Sequence, residues 1–168
     1  EKDAPLLLNG DDDLLGSINL ERKNIYYYGI RSEKCCFKAE NIVAGDSDTE
    51  FDILFDGKRI HTVIPVVGVH NVMNATAAFG VGIVLGIDPE RAAGALSNYE
   101  TCGMRQKIVN KNGITVIEDC YNASPDSMRA SLTTLADIKA SRRIAVLGDM
   151  LELGERSEEF HRQAGEYA

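Results

Sequence analysis

The sequence predicts an α/β fold of two textures, a small antiparallel sheet with helices and then a parallel strand–helix series. Three observations carry this. Between about residues 20 and 66, short runs rich in Ile, Val, Phe and Tyr alternate with turn chemistry. From Gly68 the chain becomes helical and crowded with small residues. Beyond Met104 strand-like and helix-like segments alternate, the signature of a parallel sheet with crossover helices.

Leu6-Leu7-Leu8-Asn9, stopped by Gly10 and Asp11-Asp12-Asp13, reads as the last strand of a buried sheet whose partners lie upstream. The triple acid is read as a solvated cap rather than a metal site. Strands are expected at Ile25–Ile30, Cys36–Val43, Phe51–Phe55 and Arg59–Val66. Asp56-Gly57 is the sharpest hairpin signal, because a type I′ turn needs positive φ at both central positions. Val69 to Gly86 is expected to be a helix whose Ala75, Ala77, Ala78, Gly80 and Gly82 allow another backbone close. Asp88-Pro89-Glu90 starts a second helix through Leu96, with Asp as cap and Pro in the first turn.

Strands are expected at Arg105–Val109 and Ile114–Asp119, around the hairpin turn Asn112-Gly113. Ser124-Pro125-Asp126 opens a helix to about Ala140, with Leu132, Leu135 and Ile138 on one face. Arg143–Leu147 reads as a continuous apolar strand of parallel type, and Ser157-Glu158-Glu159 opens a last helix. The second texture is thus Rossmann-like. A boundary near 103/104 divides the chain into residues 1–103 and 104–168.

Composition narrows the function classes. A 44% hydrophobic content supports a packed core, and 26 acidic against 18 basic residues give a net charge of −8. That sign, with no Lys/Arg block, argues against nucleic-acid binding. The apolar stretch Val72–Ile87 falls short of the roughly 20 residues a membrane span needs and carries Asn74 and Thr76. Cys35, Cys36, Cys102 and Cys120 show no C-x-x-C pattern, and His61, His70 and His161 are scattered. They read as reduced thiols of a cytoplasmic protein, with no metal site and with Cys35 and Cys36 on opposite faces of a strand. Because the chain opens at Glu1 and holds only Met73, Met104, Met128 and Met150, it is expected to be cut from something longer. No signal peptide is visible in it.

Three motifs carry chemistry: Gly68-Val-His70-Asn71-Val-Met-Asn74-Ala-Thr-Ala-Ala78; Met104-Arg105 followed by Glu118-Asp119-Cys-Tyr121-Asn122-Ala-Ser-Pro125-Asp126-Ser-Met128; and Gly148-Asp149-Met150-Leu-Glu152-Leu-Gly154-Glu155, with His161 beyond. A helix opening at His70-Asn71 offers free backbone N–H groups. Asn71 and Asn74 could match the edge of an adenine or be a cap and a structural amide. Arg105 suits bidentate binding of phosphate, or is a solvated strand residue. Asp119, at the carboxyl end of a strand, sits where open α/β sheets hold ligands, or is a turn acid. Ser124 is most simply a helix cap, while Asn122 could position a substrate. Asp149 and Glu152 could meet an ammonium group, or Gly148 could serve only a tight turn. His161 reads more readily as an ordinary histidine than as a base.

In this order and spacing the three motifs resemble the Mur ligases. Residues 68–161 carry the likeness, and residues 1–67 match loosely through Leu8-Asn9-Gly-Asp-Asp. Within the family they look most like the branch that adds D-alanyl-D-alanine to UDP-N-acetylmuramoyl-tripeptide. The resemblance implies the second half of an ATP-binding central domain and the start of the ligase domain. It implies ATP and Mg²⁺ as cofactors, the metal ligands lying mostly outside this chain, and small-molecule partners for a monomer. By this likeness His70, Asn71 and Asn74 lie by the adenine and Asp119 holds the ribose. Arg105 acts at the γ-phosphate as the catalytic residue, and Tyr121, Asn122, Asp149 and Glu152 are substrate contacts. The family's phosphate loop, of the G-x-x-G-K-[ST] kind, is absent, since Gly57-Lys58-Arg59 is the one Gly-Lys pair and it sits in a hairpin. The chain alone is therefore expected not to turn over ATP. Two alternatives stay open: another amino-acid-adding ligase, such as a relative of folylpolyglutamate synthetase, or a non-catalytic nucleotide-binding module.

Overall fold

The computed structural model describes residues 4–18, 24–100, 103–105 and 107–168. Cys102 and Gln106, which the sequence places in a loop and a strand, lie outside the described residues. Two compact units are present, Glu1–Tyr99 and Glu100–Ala168.

In the first unit β1 (Leu6–Asn9), β2 (Ile25–Gly29), β3 (Phe37–Ala44), β4 (Thr49–Phe55) and β5 (Lys58–Ile64) form one sheet in sequential order. It is mixed rather than purely antiparallel. β3, β4 and β5 are antiparallel neighbours, but β2 runs parallel to both β1 and β3. β1 finds a partner downstream in β2 and stands at the edge of the described sheet. The β4–β5 turn is as the sequence reads, with Asp56 at φ 50° and Gly57 at φ 70°.

Asp11 explains how β2 and β3 can be parallel with only residues 30–36 between them, where such pairs usually need a dozen or more. Its carboxylate accepts the backbone N–H groups of Ile30 (2.8 Å), Arg31 (3.0 Å) and Ser32 (2.8 Å), organising a tight return. Pairing is then confined to Tyr28–Phe37 and Gly29–Lys38. Partial burial pushes the Asp11 carboxyl up, but these three amides and the Arg31 charge outweigh it and hold it below the usual range. Asp12 caps the short helix α1 (Asp13–Ser17) through Leu14 and Leu15 N–H. The triple acid is thus one cap and one long-range anchor. Cys35 and Cys36 precede β3 rather than standing on opposite faces of a strand, and Cys35, Cys36 and Cys120 are free thiols.

One face of the sheet is covered by α2 (Val69–Val84) and α3 (Pro89–Leu96). Period-two burial on β4 (Thr49, Phe51, Ile53) and β5 (Ile60, Thr62, Ile64) meets Val72, Ala75, Thr76 and Phe79 of α2. Phe37 is stacked on Phe55 at 5.1 Å and meets Phe79 edge-on at 6.2 Å. The small residues of α2 do admit a close neighbour, but at Gly80 it is a ring and not a backbone: a Cβ there would sit 2.9 Å from Phe37 Cδ2. Asp88 caps α3 through Arg91 N–H, with Pro89 at its first position. No helix of the described residues is long and apolar enough to cross a membrane.

In the second unit β6 (Lys107–Lys111) and β7 (Ile114–Glu118) form an antiparallel hairpin, turned by Asn112 at φ 52° and Gly113 at φ 77°. α4 (Pro125–Asp137) follows, and α5 (Ser157–Tyr167) closes the chain after a 3₁₀ turn at Gly154–Arg156. Ser124 caps α4 in a capping box with Ser127. Arg143–Leu147, expected as a strand, lies in none. The described strands of this unit pair with each other, and a cavity is lined by the end of β7 on one part and Ile144–Leu147 on another. Without a ladder partner the apolar run stays exposed, Val146 at 93%.

Candidate active site

In the first unit the candidates lie at the start of α2. Gly68, at φ 107°, brings the chain into the helix in a conformation that suits glycine. Asn71 is half-buried, and its side-chain Nδ2 donates to the Val67 carbonyl at 2.7 Å, so the amide ties the helix to the loop leading into it. His70 is half-buried, and Asn74, four residues on along the same helix face, is exposed. The first turn of α2 carries no acid, so no carboxylate there offsets the positive end of the helix dipole.

The second unit brings the other candidates together. The Met104 carbonyl accepts the N–H groups of Cys120 (2.9 Å) and Tyr121 (3.2 Å), so residues 103–105 are tied to the chain leaving β7. Arg105 lies with its guanidinium carbon 4.2 Å from the centroid of the Tyr121 ring. Stacking occupies the face of the guanidinium and leaves its in-plane donors able to meet an oxyanion. Asp119 is half-buried, and Ser131 of α4 donates its hydroxyl to Asp119 Oδ2 at 2.5 Å. Asn122 turns its own Oδ1 to the Ala123 N–H at 2.9 Å.

Asp119, Tyr121, Asn122 and Asp149 line one cavity of about 520 Å³, floored by apolar side chains that include Leu132 and Leu135. That combination of a largely apolar floor with a few convergent polar groups is the usual composition of a small-molecule site. Asp149 keeps its carboxylate 91% exposed. Glu152 is not among the lining residues; it sits exposed at φ 63°, where the chain turns toward the 3₁₀ segment. His161 is engaged on both ring nitrogens, with Met150 N–H at 3.0 Å and the Ser157 carbonyl at 2.7 Å. Ser131 and the His161–Met150 link were not among the sequence candidates. Both act across folds of the chain, and no local pattern signals them. Among the described residues no group of three His, Cys, Asp or Glu is placed to hold a metal ion, so the donors present do not fit a Mg²⁺ cage.

Residues 1–82 match the Mur ligase middle domain, and residues 104–168 match the family's glutamate ligase domain. The chain belongs to the Mur ligases. It is 35% identical over 167 residues to the UDP-N-acetylmuramoyl-tripeptide–D-alanyl-D-alanine ligase of Bacillus subtilis, covering 98% of this chain and 35% of that protein. It therefore spans about a third of the length of the curated relatives it matches. Among solved structures it is similar to MurF of Acinetobacter baumannii, with 29% identity and a TM-score of 0.78 over 84% of this chain and 30% of that one. MurF ligase of Thermotoga maritima in complex with ADP shares the fold, with a TM-score of 0.86 at 24% identity over 99% of this chain and 38% of that one.

Proposed function

We propose that this Mur ligase chain belongs to an enzyme that joins D-alanyl-D-alanine to UDP-N-acetylmuramoyl-tripeptide at the expense of ATP, a step of peptidoglycan precursor synthesis in the cytoplasm. The observation that carries the proposal is the 35% identity over nearly the whole chain to a ligase named for that reaction. In it the tripeptide carboxylate attacks the γ-phosphorus, ADP leaves, and an acyl phosphate forms. The free amine of the dipeptide then adds to the acyl carbon, and the tetrahedral intermediate expels inorganic phosphate to leave the amide. The protein's share is orientation and charge neutralisation. Mg²⁺ bound to the phosphates would neutralise their charge. This chain's described residues offer it no cage.

His70, Asn71 and Asn74 are assigned to the adenine, which suits an exposed amide one turn into a helix without N-terminal acid. Arg105 is assigned to the γ-phosphate: its stack on Tyr121 orients the guanidinium while its edge stays open to oxygens. Asp119, steadied by Ser131, takes the ribose hydroxyls. Asp149, with Tyr121 and Asn122, meets the incoming dipeptide, whose ammonium group its exposed carboxylate complements. Glu152 is left out of that set because it does not line the cavity.

The deciding experiment measures phosphate release by the complete ligase with ATP, the nucleotide tripeptide and a series of amine acceptors. Release that depends on D-alanyl-D-alanine and not on single amino acids supports the reading; release with glutamate instead would overturn it. Asn74→Ala should raise the KM for ATP severalfold, as expected when one hydrogen bond to a ligand is lost; an unchanged value returns Asn74 to a structural role. The 168-residue chain alone, which lacks a Gly-Lys-Ser/Thr triplet, should release no phosphate with both substrates present.

A further inference from the structure

Gly148, Asp149 and Leu151 line the cavity although their segment belongs to no helix or strand. Between the end of α4 and the 3₁₀ turn the chain has no regular structure, so backbone ladders do not fix its path. Two things single out its middle. Met150 is 2% exposed while Asp149, Leu151 and Glu152 beside it are exposed, so one side chain is anchored and its neighbours project. The Met150 N–H donates to His161 Nε2 at 3.0 Å. Accepting there requires a lone pair, which places the ring proton on Nδ1, and Nδ1 donates to the Ser157 carbonyl at 2.7 Å. One nitrogen thus fastens the ring to its own helix, one turn back, and the other holds the loop. Asp149 Oδ1 lies 3.8 Å from Nε2, on the same side as the clamped amide.

We infer that His161 is a positioning residue: through the Met150 amide it fixes the Gly148–Leu151 wall of the cavity and so sets where the Asp149 carboxylate stands. This deepens, and rests on, the assignment of that wall to the incoming dipeptide. The histidine itself touches no substrate. A neutral ring with one donor and one acceptor, spaced across its width, fits a link between a helix carbonyl and a loop amide. A fully apolar ring would fill the space and hold nothing.

The test compares His161→Phe, which keeps the ring without an acceptor, and His161→Gln, which keeps an acceptor at similar reach, in the complete ligase. Amide exchange of the peptide spanning 148–153 reads the clamp directly, and steady-state constants read its consequence. In His161→Phe, exchange should quicken and the KM for D-alanyl-D-alanine should rise, each by up to about tenfold, the scale of one net hydrogen bond. The KM for ATP should stay within about twofold, since the loss falls on one substrate only. His161→Gln should restore most of both changes. Unchanged exchange in His161→Phe overturns the clamp, and quickened exchange with an unmoved dipeptide KM overturns its positioning role. A parallel fall in every constant and in thermal stability, unrescued by Gln, shows a fold defect and also overturns it. Asp149→Asn separates the underlying reading: a wild-type dipeptide KM in that variant defeats the assignment of Asp149, while exchange still decides the clamp.

Discussion

Between Phe37 and Ala93 twelve apolar residues are buried in one cluster, where the alternation of one sheet face meets a helix stripe. Among the described residues of 100–168 only Met150 and Thr134 reach that degree of burial. The second unit is held instead by the Ser124–Ser127 capping box, the Ser131–Asp119 bond, the Arg105–Tyr121 stack and the His161–Met150 link. These same ties carry the candidate active-site residues. The contrast teaches that a substitution in the first unit is felt mainly as lost packing, whereas one in the second is felt mainly as a misplaced group.

The sharpest way to break this contrast is at Phe37, which is 1% exposed among Tyr26, Phe55 and Phe79. Phe37→Ala should destabilise the first unit by about 3–5 kcal/mol, the usual range for emptying an aromatic core position. Urea unfolding followed by circular dichroism would check it, and a loss under 1 kcal/mol would show that the cluster is not what holds the unit. Gly80→Ala attacks the same contact from the other side. Its Cβ would come within 2.9 Å of Phe37 and 3.2 Å of Leu7, so overpacking should cost about 1–3 kcal/mol despite alanine's better helix propensity. A stabilised variant in the same unfolding measurement would mean that the ring has room to retreat.

Asp11 tests whether a polar tie matters inside the packed unit as well. Its carboxyl is held below its unfolded value, near 3.9, so its contribution is present above about pH 4 and lost as pH falls through the folded value. Asp11→Asn should therefore cost about 1–2 kcal/mol at neutral pH, with the gap to wild type closing on acidification. Unfolding midpoints at pH 7 and pH 3 measure this, and a gap that is constant with pH would remove the ionic part of the account. Smallest is Ser124→Ala, which removes one cap and should cost about 1 kcal/mol, seen as fraying of α4 in amide exchange. A cost exceeding that of Phe37→Ala would invert the comparison.

What could be read from the chain follows from how far each interaction reaches. The turns at Asp56-Gly57 and Asn112-Gly113 and the caps at Asp88 and Ser124 were legible because their causes lie within four residues. Strand positions were legible too, but not strand partners, so the parallel joints of β2 were missed; periodicity says which face is buried, not which edge is paired. Arg143–Leu147 misled for the same reason, because its composition suits a strand and no described neighbour supplies the ladder. At the site, Asp119, Tyr121, Asn122 and Asp149 were named in advance and share one cavity, while Glu152 was named and does not. Ser131 and the link from His161 to Met150 escaped because the partners stand twelve and eleven residues apart, with no pattern joining them.

The tight return built on Asp11 also bears on the order in which the sheet assembles. The β4–β5 hairpin closes across two residues and can form on the microsecond scale of isolated hairpins. The joint between β2 and β3 cannot hold until residue 11 has come back to residues 30–32, so it waits on a longer closure. Folding should therefore run from the hairpin edge of the sheet toward β1. Substitutions at the hairpin turn should slow folding, and substitutions at Asp11 should chiefly hasten unfolding, a division that stopped-flow rates of the two variants would reveal.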